Sequence, residues 1–214
     1  MDALTHSGDL VAEALGTTLL IAAISALGAL VIGVLVTVAR ISSVPVLRAI
    51  AFCYVQFFLN VPLLALLLLA VFALPDAGLI MPLSTTVIVT LALYEGAYVA
   101  EAVRSGVNTV ASGEVEAARA LGMRFGQVMR KIVVPQALRA VVQPLGNVMI
   151  ALLMNTALAA TVRVVELTSA ANRINNVAAQ PIVIYAAVGA AYMAMAMCLG
   201  LLAGRLEKRV AIVR

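Results

Sequence analysis

Residues 15–39 read LGTTLLIAAISALGALVIGVLVTVA, and Arg40 closes the run. No side chain in this stretch carries a charge. A helix needs about 20 apolar residues to cross the hydrocarbon core of a bilayer, so this segment alone reads as a membrane span. The rest of the chain agrees. Of its 214 residues, 64% are hydrophobic and only 11% charged, with a mean hydropathy of +1.12. A soluble domain carries about 25% charged residues. The composition therefore excludes a globular cytosolic enzyme, a nucleic-acid module and a disordered linker, and leaves a chain solvated mainly by lipid.

Four more apolar runs follow. The second, about 49–74, is interrupted by Asn60 and Pro62, and Pro75-Asp76-Ala77-Gly78 reads as a turn. The third covers about 79–103, the fourth about 132–161 and the last about 181–204. A polar stretch, about 104–131, separates the third and fourth runs. The expectation is an all-α integral membrane protein with five transmembrane helices in one domain, residues 1–214. With the amino end outside, twelve of the fourteen Lys and Arg residues fall on the inner segments, and only Arg163 and Arg173 lie outside. That asymmetry predicts a cytoplasmic carboxyl end and a cytoplasmic 104–131 loop.

Met1 to Glu13 carries Asp2, Asp9 and Glu13 but no cation, unlike the basic start of a signal peptide. His6 reads as a solvated side chain in this external tail. Cys53 and Cys198 both sit in apolar runs without metal-ligand spacing, so neither a metal nor a disulfide is expected. Ser25, Ala29 and Gly33 recur four apart on the first span, as do Gly200 and Gly204 on the last. Small residues at this spacing let helices approach closely in lipid.

The loop holds the most informative segment, Ser112 to Pro135, SGEVEAARALGMRFGQVMRKIVVP. Ser112 or Gly113 is placed to cap a helix, with Glu114 and Glu116 in its first turn. Ala117, Ala118, Ala120 and Leu121 continue it, and Gly122 is placed to end it. Such a short helix is marginal alone and needs a surface to dock on. Its alanines allow close backbone approach, and Arg119, Arg124 and Arg130 supply polar anchors. The other reading of these residues is a plain loop that happens to be helical.

Glu116-Ala117-Ala118, three residues, Gly122, nine residues, then Ile132-Val133-Val134-Pro135 resembles the EAA loop of ABC importer permeases, E-A-A-x3-G-x9-I-x-L-P, with Val134 in place of the usual Leu. Ala97 to Glu101, Arg104-Ser105-Gly106, Pro135 to Arg139, Pro144 to Asn147 and Glu166-Leu167-Thr168 are similar to the polar amino-acid permease family of the histidine, glutamine and glutamate type. The resemblance implies a type I ABC importer permease fold in a bacterial cytoplasmic membrane, taking up polar amino acids. It implies that Glu116, Ala117, Ala118, Arg119, Gly122 and Arg124 couple the chain to a cytoplasmic ABC ATPase dimer. It also implies a second permease subunit and an extracytoplasmic substrate-binding protein as partners, with ATP and Mg bound by the ATPase and no cofactor on this chain.

The chain departs from that family where substrate is expected. Leu59-Asn60-Val61-Pro62-Leu63 stands for the common Arg-x-Thr-Pro-Leu, Met154-Asn155-Thr156-Ala157 stands for Lys-Asp-Thr-Ser, and Glu95 occupies a position usually small and neutral. An intramembrane acid is a functional candidate by default, although burial against another helix accounts for it equally. Glu95, Tyr98, Asn60, Asn155 and Thr156 are the pathway candidates, and Glu101 with Arg104 reads as an i,i+3 ion pair. No GxxxxGK[ST] phosphate loop is present, and a single His excludes a Ser/His or His-ligated metal site within the spans. Two other readings stay open: a proton-coupled secondary transporter using Glu95, and a non-transporting assembly subunit.

Overall fold

The computed structural model describes residues 8–210. The expectations for Met1, Asp2, His6 and Arg214 lie outside the described residues. Nine α-helices follow in order among those described: α1 Gly8–Arg40, α2 Pro45–Asn60, α3 Leu63–Asp76, α4 Leu83–Asn108, α5 Ser112–Ala120, α6 Phe125–Val128, α7 Val134–Asn155, α8 Leu167–Ala178 and α9 Pro181–Val210. A π turn, Met129–Val133, joins α6 to α7, and a 3-10 segment, Thr156–Val162, extends α7. Four helical stretches are long and apolar enough to cross a membrane, and α2 with α3 makes a fifth if that bent pair counts as one span.

The largest interface is between α1 and α4. Its basis is the small-residue stripe of α1, where Ala14, Thr18, Ser25, Ala29, Gly33 and Thr37 are buried. A Cβ on Gly28 would come within 2.8 Å of the Ala92 Cβ, and one on Gly33 would collide with Val99. The two backbones meet closely enough for Thr37 Oγ1 to donate to the Ala100 carbonyl at 3.0 Å, and Ser25 Oγ to that of Ile88 at 3.3 Å. In lipid such packing replaces the hydrophobic drive between helices. The opposite face of α1, including Leu27, Val31 and Leu35, is exposed, as a lipid-facing surface would be.

The 49–74 run is interrupted at Asn60 and Pro62, as expected. It starts at Pro45 and breaks at Val61-Pro62, where α2 and α3 diverge by 102°. Pro62 lacks an N–H and holds Val61 extended (φ −106°, ψ 133°), so the helix cannot continue. The turn after it begins later than expected, because α3 runs through Pro75 to Asp76 and Gly78 takes the left-handed φ of +85°. On α9, an added Cβ on Gly200 would lie 3.7 Å from Ile150 of α7 and one on Gly204 would meet nothing within 4 Å; the tight approach of the two helices falls at Gly146, where an added Cβ would lie 2.6 Å from the Ala203 Cβ.

The fourth run also extends beyond its expected bounds, being helical from Phe125 to Val162. Pro135 cannot donate to the carbonyl one turn back, and the ladder just before it widens into the π turn. Cys53 on α2 and Cys198 on α9 are both free thiols.

Candidate coupling loop and membrane cavity

The 112–135 segment folds as a small unit with its own core. Ala118 of α5 is buried with Val128 and Val133, and Val107, Val115, Met123 and Ile132 pack around them. The small Ala118 side chain lets α5 sit close on this floor. The expected cap is corrected by one residue: Ala111 is the N-cap and no side chain caps the helix, so Ser112 already lies inside it. Gln136 Nε2 donates to Glu114 Oε2 at 2.5 Å and ties α5 to α7.

Gly122 ends α5 as expected, with φ of +79°. The Met123 N–H donates to the Ala118 carbonyl at 3.1 Å, and the Gly122 N–H to that of Arg119 at 2.9 Å. This pair of bonds is the Schellman closure, which places its left-handed residue at the glycine. A Cβ on Gly122 would meet nothing within 4 Å, so the requirement is one of backbone conformation, not of space within this chain. Glu116, Ala117, Arg119, Gly122 and Arg124 are all exposed. Leu121 and Phe125 beside them are 85% and 64% exposed. The loop therefore presents polar and apolar groups together on a surface that the chain itself does not cover. Behind it lies a groove of about 950 Å³ between α5 and the start of α7, reached by Glu207 of α9.

The pathway candidates separate into two sets. Glu95 is 2% exposed in the middle of α4. Asn155 Nδ2 donates to Glu95 Oε1 at 2.7 Å. Tyr94 and Tyr98 hydroxyls stand 3.2 Å apart, and these four side chains with Asn147 line a cavity of about 310 Å³ between α4 and α7. No described residue hydrogen-bonds Glu95 Oε2. Asn60 and Thr156 do not join the cavity. Asn60 is exposed at the α2–α3 break, where it bonds back to the Gln56 carbonyl at 2.7 Å. Thr156 is fully buried, and its hydroxyl donates to the Leu153 carbonyl at 2.6 Å.

Two polar clusters were not foreseen. Glu101 forms the expected pair with Arg104 at 2.7 Å, but it also binds Arg40 from the end of α1 at 2.5 Å. Glu166 caps α8 from a fully buried position, accepting from Ser169 N at 2.8 Å, Thr168 N at 2.9 Å and the Tyr192 hydroxyl at 2.6 Å. No helix was expected at 167–178, so neither α8 nor its cap was anticipated.

Comparison with known proteins places this arrangement. Residues 29–212 match the family model described as the binding-protein-dependent transport system inner membrane component. The chain is 37% identical over 201 residues to the glutamate transport system permease protein GluC of Corynebacterium glutamicum, with 88% of each chain covered. It is 34% identical over 193 residues to the probable glutamine ABC transporter permease protein GlnM of Bacillus subtilis, covering 90% of this chain and 89% of that one. Its fold matches a chain in the crystal structure of an amino acid ABC transporter with histidines at a TM-score of 0.91, 29% identity and 96% coverage of both. A chain of the MetNI methionine ABC transporter shares the fold at a TM-score of 0.80, covering 96% of this chain and 98% of that one, with only 21% identity.

The chain belongs to the family of inner membrane components of binding-protein-dependent transport systems. It is a multi-pass membrane protein of that class, and ATPase and binding-protein partners go with the family in general.

Proposed function

We propose that this chain is the permease subunit of an ATP-driven ABC importer for polar amino acids of the glutamate and glutamine type. The observation that carries this reading is the exposed α5 helix, closed at Gly122 and set on its own small core, in the spacing of an ATPase-docking loop. Glu116, Ala117, Arg119, Gly122 and Arg124 form the docking surface, and Ala118 seats the helix. The ATPase dimer binds and hydrolyses Mg-ATP, and this chain passes its closure to the spans. A second permease subunit completes the pathway, and an extracytoplasmic binding protein delivers substrate.

The relatives named for glutamate and glutamine support the substrate class. In this reading α2 and α3 together make one of five spans, the amino end is outside and the loop is cytoplasmic. The distribution of Arg and Lys supports that orientation. Deleting this chain while the ATPase and binding protein are still produced should abolish uptake of the cognate amino acid. Undiminished uptake would refute the proposal.

Glu95, Tyr98 and Asn155 line the substrate path in this reading. A carboxylate with one oxygen held by Asn155 and the other free suits the ammonium of an amino acid crossing a site where water is scarce. Glu95→Gln keeps the shape and the amide contact but removes the charge. Transport should fall about tenfold or change its preference among acidic, neutral and basic amino acids, with assembly unchanged. Competition assays with unlabelled amino acids measure this, and an unaltered profile at full rate removes Glu95 from the path.

A further inference from the structure

Three arginines and one carboxylate meet where α1 ends, α2 begins and α4 ends. Arg40, Arg48 and Arg104 line a cavity of about 500 Å³ with Ile41, Pro45 and Phe52. Glu101 bridges Arg40 and Arg104. Arg48 has no carboxylate within 4.0 Å among the described residues. The cluster thus holds an excess of two positive charges. Arg40 also lies over the Phe52 ring, 5.3 Å from its centroid, and Phe52 is itself half exposed.

The surface continuing from the cavity along α2 is apolar and uncovered: Val46 is 65% and Ile50 63% exposed. A cationic recess beside an apolar wall matches a molecule with an anionic head and a hydrocarbon tail. Guanidinium groups suit a phosphate because their planar forks donate to its oxygens in pairs. A leftover cation at the edge of a low-dielectric layer is costly, and a bound anion offsets that cost.

We infer that the Arg40–Arg48–Arg104 cavity binds the phosphate headgroup of an anionic phospholipid of the cytoplasmic leaflet, with its acyl chains along the exposed face of α2. The leaflet assignment rests on the orientation proposed above. The lipid phosphate meets Arg48 and the outer face of Arg104, while Glu101 keeps Arg40 and Arg104 in place. Basic recesses between spans on the cytoplasmic side have the right field for such headgroups.

The assembled transporter, purified with its partner subunits, tests this by native mass spectrometry after titration with phosphatidylglycerol or phosphatidylcholine. The parent should retain phosphatidylglycerol in preference, and Arg48→Gln should bind it about fivefold more weakly. The Arg48 side chain makes no hydrogen bond or ion pair among the described residues, and its backbone N–H, which donates to the Val44 carbonyl, is untouched by the substitution, so the variant should assemble normally. If Arg48→Gln fails to assemble, the parent's preference between the two lipids decides the matter. Equal retention of both lipids overturns the proposal. So does equal affinity in parent and variant, or displacement of the lipid by millimolar inorganic phosphate, which would mark a free-anion site. Absence of bound lipid from the intact complex overturns it too. Labelling of Ser43→Cys by an impermeant reagent outside intact cells would refute the orientation alone, since lipid retention is read independently of it.

Discussion

Replacing Gly122 with leucine is expected to reduce uptake at least tenfold while the chain still folds. Gly122 sits at φ +79°, where an L side chain costs about 1–2 kcal/mol. That cost falls on a surface helix of nine residues, remote from the interface of α1 with α4. An added Cβ meets nothing within 4 Å, so the first side-chain atom clashes with no part of this chain. The partner meets a loosened α5 terminus and a branched side chain beside Leu121, on the surface assigned to the ATPase.

Gly122→Ala separates the two effects, because it changes backbone preference and adds only a methyl. It should fall between parent and leucine. Uptake and co-purification of the ATPase are the measurements. Normal values of both in Gly122→Leu would contradict the docking role of α5.

Glu166→Ala should destabilise the folded chain by about 2–4 kcal/mol. Loss of the N-cap, which takes the acceptor from Ser169 N and Thr168 N, costs about 1 kcal/mol. The buried Tyr192 hydroxyl left without its acceptor adds about 1–3 kcal/mol. The Tyr192 contact also links α8 to α9, so the loss spreads beyond one helix end. Thermal melting of the purified complex should show a drop of several degrees for Glu166→Ala. Glu166→Gln, which keeps one acceptor oxygen, should lose less. A melting temperature equal to the parent's in Glu166→Ala would show that Tyr192 and the α8 amides find other partners.

The uncharged runs made α1 legible because length and composition alone decide a span. The Gly122 cap was legible because glycine just past a short Ala-rich run is the common left-handed closure, which it adopts without strain. The α2–α3 break was half legible. Pro62 marks an interruption, yet nothing local fixes a 102° bend, which depends on where α3 packs against α4. The Glu95–Asn155 bond joins residues 60 positions apart, so the sequence could offer both side chains but not their meeting. Asn60 and Thr156 show the converse: polar residues within apolar runs satisfied their own backbone instead of joining a shared site. Glu101 was assigned its local partner Arg104, while Arg40, 61 positions away, required the close approach of α1 to α4.

In the proposed function this chain moves its substrate by coupling to an ATPase rather than to a proton gradient. Proteoliposomes containing the chain with its permease and ATPase partners, supplied with the binding protein and labelled amino acid, measure this directly. Uptake should require Mg-ATP inside the vesicle, persist when a protonophore collapses the pH gradient, and fall at least tenfold with Gly122→Leu. Uptake that proceeds without ATP and is abolished by the protonophore would contradict the account.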